Sequence, residues 1–580
     1  MRGDVAQPAR RSHTQLSLRA LVALALAVAA CSGGGTQTPA ADADAGVDAD
    51  ASPDVSAGPC STGLVCDGDL VRACVDGGLG DVVQACPLGD TCSLGRCTSS
   101  ACAMAEAKHT GFGGCLFYSF QPENVTSDSS AATSFLVTNP SSATATVSLE
   151  VPAVGGDGTA SWAAQMGPTP VDPGQSARFT LTNHAVISGG SFLGAAIRIS
   201  SDVPVAAVEV VGDDSDQTAT TSSAGTTLLP AQTLGSHYRA MTYPQADTPA
   251  VAAIDGSRGG AARVAIVSTQ DGTDVSISLP ADISSILETP QPLPTELMVG
   301  STLYASLNDG DVFQVYTTDD GADLSGTEIS ASAPIAVFSG NITTSYGIVS
   351  GMDDVSSPDM AHEQMPPVGA WSTHWVAAEL PAQVNVCTSL FGAPGSSIWR
   401  VLASEDGTNV MLDAPQGVTV SPPSTQMLNK GQVAQLISSG GSFQIQANKP
   451  VLVTQGLDCE PSLSLAVSLD HLLDDYAFAV LPNFDQLVSV VRPAEQPEDT
   501  IMLDGTAISS SLFGPAGNGY EVAQVPIPPC GASMQVCTHR LSGGHFGMTL
   551  RGMDVLSSYA LTAPTFAGCV DVSDPTCIVP

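Results

Sequence analysis

The amino-acid sequence predicts an all-β protein whose main part is a series of tandem β-sandwich-like repeats. Apolar residues alternate with small polar residues over long stretches, as in the run from Arg263 to Pro280. A period of two places one face of a strand in a core and the other in water. Only 13% of the residues are charged, while 57 are glycine, which suits strands joined by tight turns. Helical periodicity is scarce, and its best candidate is residues 462–473.

Residues 1–30 have the features of an export signal. Arg10, Arg11 and Arg19 precede an apolar run at 21–30, and Cys31 follows it. A basic start, a short apolar core and small residues at the exit are typical of a secretory signal, and the run is too short to span a bilayer. The junction resembles the lipobox of bacterial lipoproteins, which implies cleavage before Cys31 and diacylation of its thiol. The alternative is an ordinary cleavage site beside a chance cysteine.

Residues 31–59 predict a disordered tether rich in alanine, aspartate and glycine. Val47 and Val55 are the only large apolar residues in this stretch, so it cannot bury enough surface to offset its chain entropy. Such a segment is suited to hold a folded part away from a membrane.

Residues 60–99 predict a small module stabilised by disulfides. The segment is poor in large apolar residues, and a core that small needs covalent cross-links. It has no C-x-x-C pair and no histidine, which disfavours a zinc site. Three disulfides are expected, with the pairing left open, among Cys60, Cys66, Cys74, Cys86, Cys92 and Cys97.

The other eight cysteines are expected to pair as well. If Cys31 carries lipid, an even number remains of the 15 cysteines in the chain. Proximity suggests three local pairs and elimination leaves one long-range pair, so that the expected partners are Cys102 with Cys115, Cys530 with Cys537, Cys569 with Cys577, and Cys387 with Cys459. Such cysteine usage indicates an oxidising compartment.

From Cys115 onward the chain repeats itself weakly. The clearest repeat, residues 228–341, opens on Leu229-Pro230 and closes on the apolar run Ile335–Phe338, and residues 365–456 show the same pieces in the same order. Together with two more diverged copies, this predicts four units of roughly 110–130 residues each. Their expected ranges, the last including a C-terminal disulfide tail, are 100–220, 221–345, 346–460 and 461–580.

Two arrangements of these units fit the pattern. Seven or so strands per unit suit a β-sandwich, whereas two four-stranded blades per unit would give a closed, propeller-like toroid. Asp271-Gly272 and Asp406-Gly407 separate paired apolar runs, which predicts tight hairpins at both places. The run Ile335–Phe338 is continuously apolar, which predicts a strand buried on both faces.

Several short motifs resemble the amino-terminal domain family of the IgGFc-binding protein. They are the Gly114–Tyr118 run, LP-x-x-x-LG-x-x-Y at 229–238, the run Glu363–Pro367 with Trp371, and the P-V/I-A-V pattern at 204–208 and 334–337. The resemblance covers roughly residues 102–480 and implies an extracellular β-rich module for binding or adhesion. It does not imply antibody binding, because no antibody contact can be assigned to a residue of this chain.

Charge excludes one class of partner, and the motifs give no reason to expect an enzyme. The net charge is −39, and the three lysines are Lys108, Lys430 and Lys449, so the chain lacks the basic face that nucleic acid requires. His362-Glu363 begins like H-E-x-x-H, but residue 366 is proline. The G-x-S-x-G pattern of serine hydrolases is also absent. His237 and His374 each lie near an aromatic residue at the start of a repeat, and they are expected to be packed or rim residues.

Acidic clusters are the candidate metal sites. No cofactor is expected apart from a possible calcium ion, which prefers oxygen ligands of this kind. The clusters match no EF-hand or nonapeptide repeat, so solvated loops are the competing interpretation. Their members are Asp213, Asp214, Asp216, Asp319, Asp320, Asp323, Asp353, Asp354 and Asp359.

The sequence therefore predicts a lipid-anchored, non-catalytic binding or adhesion protein that contacts an extracellular protein or glycan. Because Ser32 rather than aspartate follows Cys31, resemblance to Gram-negative lipoprotein sorting implies the outer membrane. The alternatives are a structural protein of the cell envelope without a soluble ligand and, third, a surface enzyme with an unrecognised site.

Overall fold

The computed structural model describes residues 63–75, 78–107, 113–124, 132–154, 160–186, 189–212, 222–245, 260–280, 297–299, 301–344, 359–379, 397–423, 426–457, 462–482, 484–496, 500–531, 535–553 and 558–562. Several predictions fall outside these residues. They concern the signal and tether, Cys31, Cys60, Cys387, Cys459, Cys569, Cys577, Asp213, Asp214, Asp216, Asp353 and Asp354.

The N-terminal part of the described chain is a small module of short strands, followed by a helix. Three strands form one sheet and two form a hairpin. We call residues 63–99 the disulfide module. Its strands and the helix are β1 Leu64–Asp67, β2 Leu70–Val75, β3 Gly78–Ala85, β4 Asp90–Ser93, β5 Arg96–Ser99 and α1 Ser100–Ala107.

Four β units follow, and the all-β class predicted from the sequence is confirmed. Unit 1 contains β6 Gly114–Pro122, β7 Thr133–Thr138, β8 Ala145–Val154, β9 Ala160–Val171, β10 Ser176–Leu181, β11 Ala185–Val186, β12 Gly190–Phe192, β13 Ala196–Val211 and β14 Ala224–Thr227. Unit 2 contains β15 Gly235–Arg239, β16 Ala262–Ser268, β17 Thr273–Ser278, β18 Leu297–Val299, β19 Thr302–Leu307, β20 Val312–Tyr316, β21 Glu328–Thr344 and β22 Asp359–Met365.

The last two units repeat this arrangement. Unit 3 contains β23 Ser372–Ala377, β24 Ser397–Ala403, β25 Thr408–Asp413, β26 Thr419–Ser421, β27 Gln426–Leu428, β28 Val433–Ser439, β29 Phe443–Leu457, β30 Leu463–Leu465 and β31 Val467–Ser468. Unit 4 contains β32 Leu473–Val480, β33 Asp485–Pro493, β34 Met502–Leu503, β35 Thr506–Ala507, β36 Phe513–Gly517, β37 Tyr520–Pro526, β38 Cys537–Met553 and β39 Ser558–Thr562. Single 3₁₀ turns lie at Ala231–Thr233, Val368–Ala370, Leu469–His471 and Ser510–Leu512.

Each unit is organised by one long strand, namely β13, β21, β29 or β38. In unit 2, the first half of β21 pairs with β15 and β17, and its second half pairs with β16 and β22. The residues Ile335–Phe338 of this strand are fully buried, which confirms the prediction of a strand covered on both faces. The other three long strands divide between two sets of partners in the same way.

The hairpin predicted at Asp271-Gly272 is wrong. The strands on either side of the turn, β16 and β17, do not pair with each other, because both run antiparallel to the same strand, β21. The equivalent strands in unit 3, β24 and β25, both pair with β29. The helical candidate at 462–473 is also wrong, since these residues form β30, β31, a 3₁₀ turn and the start of β32.

The four units close on themselves. A short strand follows each long strand, and these strands pack against each other in the cyclic order β14, β22, β30 and β39. Leu136 and Val208 of unit 1 share one core with Phe478 and Val480 of unit 4. An open tandem array does not bring its first and last units together, so the contacts favour the closed alternative over the open one.

The units also exchange elements at their boundaries. Strand β12 of unit 1 pairs with β20 of unit 2, so unit 1 supplies an edge strand to the neighbouring sheet. One apolar core runs without interruption from Leu116 in unit 1 to Ala466 after β30. No helix among the residues listed above has both the length and the apolar character needed to cross a membrane.

Candidate binding cleft beside the disulfide module

Disulfides hold the module together and fasten it to unit 1. Within the module, Cys66 is bonded to Cys92 and Cys86 to Cys97, and Cys74 is likewise in a disulfide. After it, Cys102 on α1 is bonded to Cys115 on β6. The Ser99 hydroxyl donates a 2.6 Å hydrogen bond to the carbonyl of Asp202 in unit 1. In unit 4, Cys530 is bonded to Cys537.

A cleft of about 410 Å³ lies where the module meets units 1 and 2. The module contributes one wall, β6 and β13 of unit 1 a second, and loops of unit 2 a third. A volume of this size is within the range of small-ligand sites. The side chains that carry its polar chemistry are Arg96, Tyr118, Arg198, Gln270, Asp271 and Asp309.

Both arginines of the cleft are paired with carboxylates of their own neighbourhood. Arg96 lies 2.5 Å from Glu106 on α1, which is buried. Arg198 lies 2.6 Å from Glu150 on β8, and its guanidinium carbon is 4.3 Å from the centre of the Trp162 ring. These contacts fix both guanidinium groups and neutralise their charge.

Asp309 is the most perturbed acid of the cleft. Its Oδ2 accepts a 2.6 Å hydrogen bond from Trp162 Nε1, whereas its buried Oδ1 meets no hydrogen-bond partner among the described residues. Desolvation, reinforced by the charges of Asp271 and Asp311, raises the pKa of Asp309 to about 6, against the opposing effects of Trp162 and Arg198. The group therefore titrates close to neutral pH.

The backbone holds Asp309 in this position. The next residue, Gly310, has φ of +84°, and a Cβ there would lie 2.5 Å from Pro152 Cγ in unit 1. Only glycine combines that left-handed conformation with such close approach. The Asp309 N–H donates to Asp271 Oδ1 at 3.0 Å, which holds the Asp271 carboxylate against the backbone of Asp309.

Tyr118 closes the floor of the cleft from unit 1. Its ring is buried and packs edge-on against Trp162, with the ring centres 5.8 Å apart. Burial and the nearby Asp309 charge raise the pKa of the Tyr118 hydroxyl above its ordinary value, so it stays a neutral phenol throughout the physiological range.

A second polar cluster, formed by Glu209, Arg263 and His362, is fully buried. Glu209 accepts a hydrogen bond from the Ser119 hydroxyl, and its other oxygen lies 3.5 Å from His362 Nε2. His362 Nδ1 lies 2.9 Å from Arg263 Nη2. Because an arginine can only donate, Nδ1 is the acceptor and the proton of the neutral ring is on Nε2. Desolvation lowers the pKa of His362, although Glu209 opposes this.

The predicted acidic clusters are divided between surface and interior. Asp319 and Asp320 are exposed, but Asp323 lies 2.6 Å from Arg400 of unit 3. Asp359 is buried and bonded to Ser222, Ser223 and Ser558. Among the residues that the structure describes, no group of three or more His, Cys, Asp or Glu side chains is arranged to hold a metal ion.

His237 and His374, expected to be packed or rim residues, are both exposed. His237 lies 3.2 Å from the Ser330 hydroxyl and His374 lies 2.9 Å from that of Thr373. Burial raises the pKa of Glu363, the neighbour of His362, well above its ordinary range. The His362-Glu363 pair thus belongs to the core.

Comparison with known proteins identifies the family. The model of the family described as IgGFc binding protein matches residues 224–552, which is more than half of the chain. The chain belongs to the IgGFc-binding protein family. The resemblance inferred from the sequence motifs is therefore confirmed, but the matched range starts later and ends later than the 102–480 expected.

A human relative within the IgGFc-binding family supports the assignment. The "IgGFc-binding protein" of Homo sapiens is 27% identical over 215 residues, which is 37% of this chain. The same alignment covers 3% of the human protein. The relationship therefore concerns a small part of that protein.

The residues matched by the family model include only part of the cleft lining. Gln270, Asp271 and Asp309 lie within the matched residues 224–552, whereas Arg96, Tyr118 and Arg198 precede them. The cleft thus combines a family segment with the disulfide module and unit 1. The sequence analysis did not predict this cleft, and the signal that could have pointed to it is the Asp309-Gly310 pair, in which an acidic residue precedes a glycine.

Proposed function

We propose that this chain is a non-catalytic module that binds an extracellular protein and is held at the cell envelope by a lipid on Cys31. The observation that carries the binding role is the family match over residues 224–552, since the family takes its name from binding the Fc part of IgG. The closed set of four units offers broad, rigid surfaces of the kind that repeat proteins use for contact.

The chemistry of the described interior supports a binding role over catalysis. The buried ionisable groups Glu209, His362 and Arg263 are engaged with one another and packed between Phe120 and Phe338. A catalytic constellation needs a nucleophile and a base that a substrate can reach. In this cluster the ionisable groups instead join strands of units 1 and 2.

The disulfides and the leader support an extracellular location. Four disulfides lie among the described residues, and structural disulfides persist in oxidising compartments. The predicted leader is residues 1–30, and 28 residues separate Cys31 from Cys60. The Ser32 that follows Cys31 favours the outer membrane as the destination.

Binding is tested with the purified full chain immobilised through its C-terminus. Human IgG Fc, mucin, a panel of extracellular glycoproteins and a panel of glycans are passed over it. We expect saturable binding to at least one protein, reversed by excess soluble chain, and unaffected by removal of its glycans. Binding to none of the proteins, or binding only to glycans, would contradict the proposal.

The anchor is tested separately. A radiolabelled or alkyne-tagged fatty acid is supplied to cells expressing the chain or its Cys31→Ser variant. We expect the label and the membrane association to be present in the parent chain and lost in the variant. An unlabelled parent chain that still sediments with membranes would argue for another means of attachment.

A further inference from the structure

The geometry points to a single basic side chain, a lysine or arginine of a partner protein, as the group that enters the cleft between the disulfide module and units 1 and 2. This inference rests on the proposed function and specifies the site and the chemistry of the partner.

Charge is the first argument. Two arginines and two aspartates line the cleft, but Arg96 is neutralised by Glu106 and Arg198 by Glu150. Among the described residues, no cationic side chain forms an ion pair with Asp271 or Asp309. Four carboxylates at the cleft, those of Glu106, Glu150, Asp271 and Asp309, thus face two arginines. The excess of negative charge favours a cation over a neutral or anionic ligand.

An unmet hydrogen bond is the second argument. Asp309 Oδ1 is buried without a partner among the described residues, while Oδ2 is occupied by Trp162. A buried carboxylate oxygen without a donor is unfavourable, because the hydrogen bonds it makes to water in the unfolded chain are not replaced. An ammonium or guanidinium group supplies the missing donor and the opposite charge together.

The walls suit the rest of such a side chain. Leu64 and Leu94 of the module are 45% and 49% exposed, and both line the cleft with the buried Leu116. The aliphatic stem of a lysine or arginine covers apolar surface while its charged end reaches polar groups beyond it. The volume of about 410 Å³ accommodates one such side chain with part of its backbone.

A fluorescence titration of the full chain tests the inference with defined probes. Trp162 donates a hydrogen bond to Asp309. It is the one partly exposed tryptophan, since Trp371, Trp375 and Trp399 are buried. Acetyl-arginine amide and acetyl-lysine amide are compared with acetyl-citrulline amide, a neutral near-isostere, and with sucrose. A Trp162→Phe variant establishes that the signal comes from this site.

We expect both cationic probes to change the fluorescence saturably, with half-saturation on the order of millimolar. Citrulline amide and sucrose should give at most a tenth of that affinity. Asp309→Asn should weaken binding of the cationic probes about tenfold, and Asp271→Asn should weaken it by less because Asp271 is solvated. Asp172→Asn, which removes an exposed carboxylate that does not line the cleft, should have no effect.

The pH dependence separates a direct contact from a structural effect. Since the pKa of Asp309 is about 6, affinity for acetyl-arginine amide should fall as the pH is lowered from 7.5 to 5. Asp309→Asn should abolish that dependence. A response equal for arginine and citrulline, or an affinity unchanged in Asp309→Asn, would overturn the inference.

Failure here is distinguishable from failure of the proposed function. If the parent chain and Asp309→Asn bind an extracellular protein equally well, the binding role stands and the cleft is not its site. If the probes bind as expected but no protein does, the cleft accepts basic groups while the proposed protein-binding role fails.

Discussion

Asp359 Oδ2 accepts the backbone N–H of Ser558 at 3.0 Å, which joins the short strand of unit 2 to the last described strand of unit 4. Its Oδ1 accepts from the Ser222 hydroxyl at 2.8 Å and from the Ser223 N–H at 2.5 Å, both beside unit 1. One buried carboxylate therefore ties together three of the four units at the point where the array closes.

Removing this carboxylate should loosen the closure. Asp359→Ala removes the carboxylate that accepts from the Ser222 hydroxyl and from the Ser223 and Ser558 N–H groups, so we expect a loss of about 3 kcal/mol in the free energy of unfolding. Ser222→Ala removes one donor together with part of the network and should cost about 1 kcal/mol. Chemical denaturation followed by circular dichroism measures both. Equal effects of the two variants would show that Asp359 does not join the units.

Asp309 should make the protein less stable at higher pH. Its pKa is raised to about 6 from an ordinary value of 3.8, so the folded state binds the proton more tightly than the unfolded state. The resulting loss in the free energy of unfolding is absent below pH 4. It grows as the pH rises to 6 and persists at higher pH. Asp309→Asn should thus stabilise the chain by on the order of 1 kcal/mol at pH 7.5 and leave it unchanged at pH 3.5. Melting curves at both pH values check this; a variant less stable at pH 7.5 would contradict it.

Gly310 should not tolerate a side chain. Gly310→Ala places a Cβ 2.5 Å from Pro152 Cγ at a φ of +84°, and we expect a loss of about 2–3 kcal/mol from the combined strain and clash. Gly272 is the matched control, since its φ is +67° and no atom lies within 4 Å of a Cβ there. Gly272→Ala should therefore cost about 1 kcal/mol. Equal losses would mean that the contact with Pro152 contributes nothing.

The disulfide between Cys102 and Cys115 should fix the module on unit 1. It closes a loop with a sequence separation of 13, and loss of such a cross-link costs about 3 kcal/mol. In a Cys102→Ser, Cys115→Ser double variant we expect faster proteolysis between the module and β6. The control is a Cys530→Ser, Cys537→Ser variant, which opens a loop of separation 7 in unit 4 and should leave cleavage near the module unchanged.

Alternation of apolar residues predicted the strands, but it did not predict their partners. The apolar positions of β17, Val275 and Ile277, are buried as their period of two requires. Yet β17 pairs with β19 and β21 and not with β16, because alternation reports which face is buried and says nothing about the neighbouring strand. An Asp-Gly turn can join two strands that pair with each other, as in a hairpin. It can equally join two strands that each pair with a third strand, as β16 and β17 do with β21.

Closure could not be predicted because it depends on contacts between distant residues. Leu136 and Phe478 pack in one core. In the sequence each is an apolar residue like those of the other cores, so neither indicates that its partner lies in a distant unit. The helix α1 was also missed, although Ser99 receives the Cys102 N–H at 3.2 Å in the manner of a helix cap. Its eight residues are too few for periodicity to be recognised. The cleft was missed for the same reason as closure, since Arg96 and Asp309 are 213 positions apart.

The cyclic contact between the first and last units determines when folding can finish. A chain emerging from a ribosome or an export channel makes β13 and β14 long before β39, so the apolar side of unit 1 that faces unit 4 has no partner until about residue 562 is available. The contact between the first and last units can therefore form only after β39 has been made, and until then this apolar surface of unit 1 is uncovered and prone to aggregation.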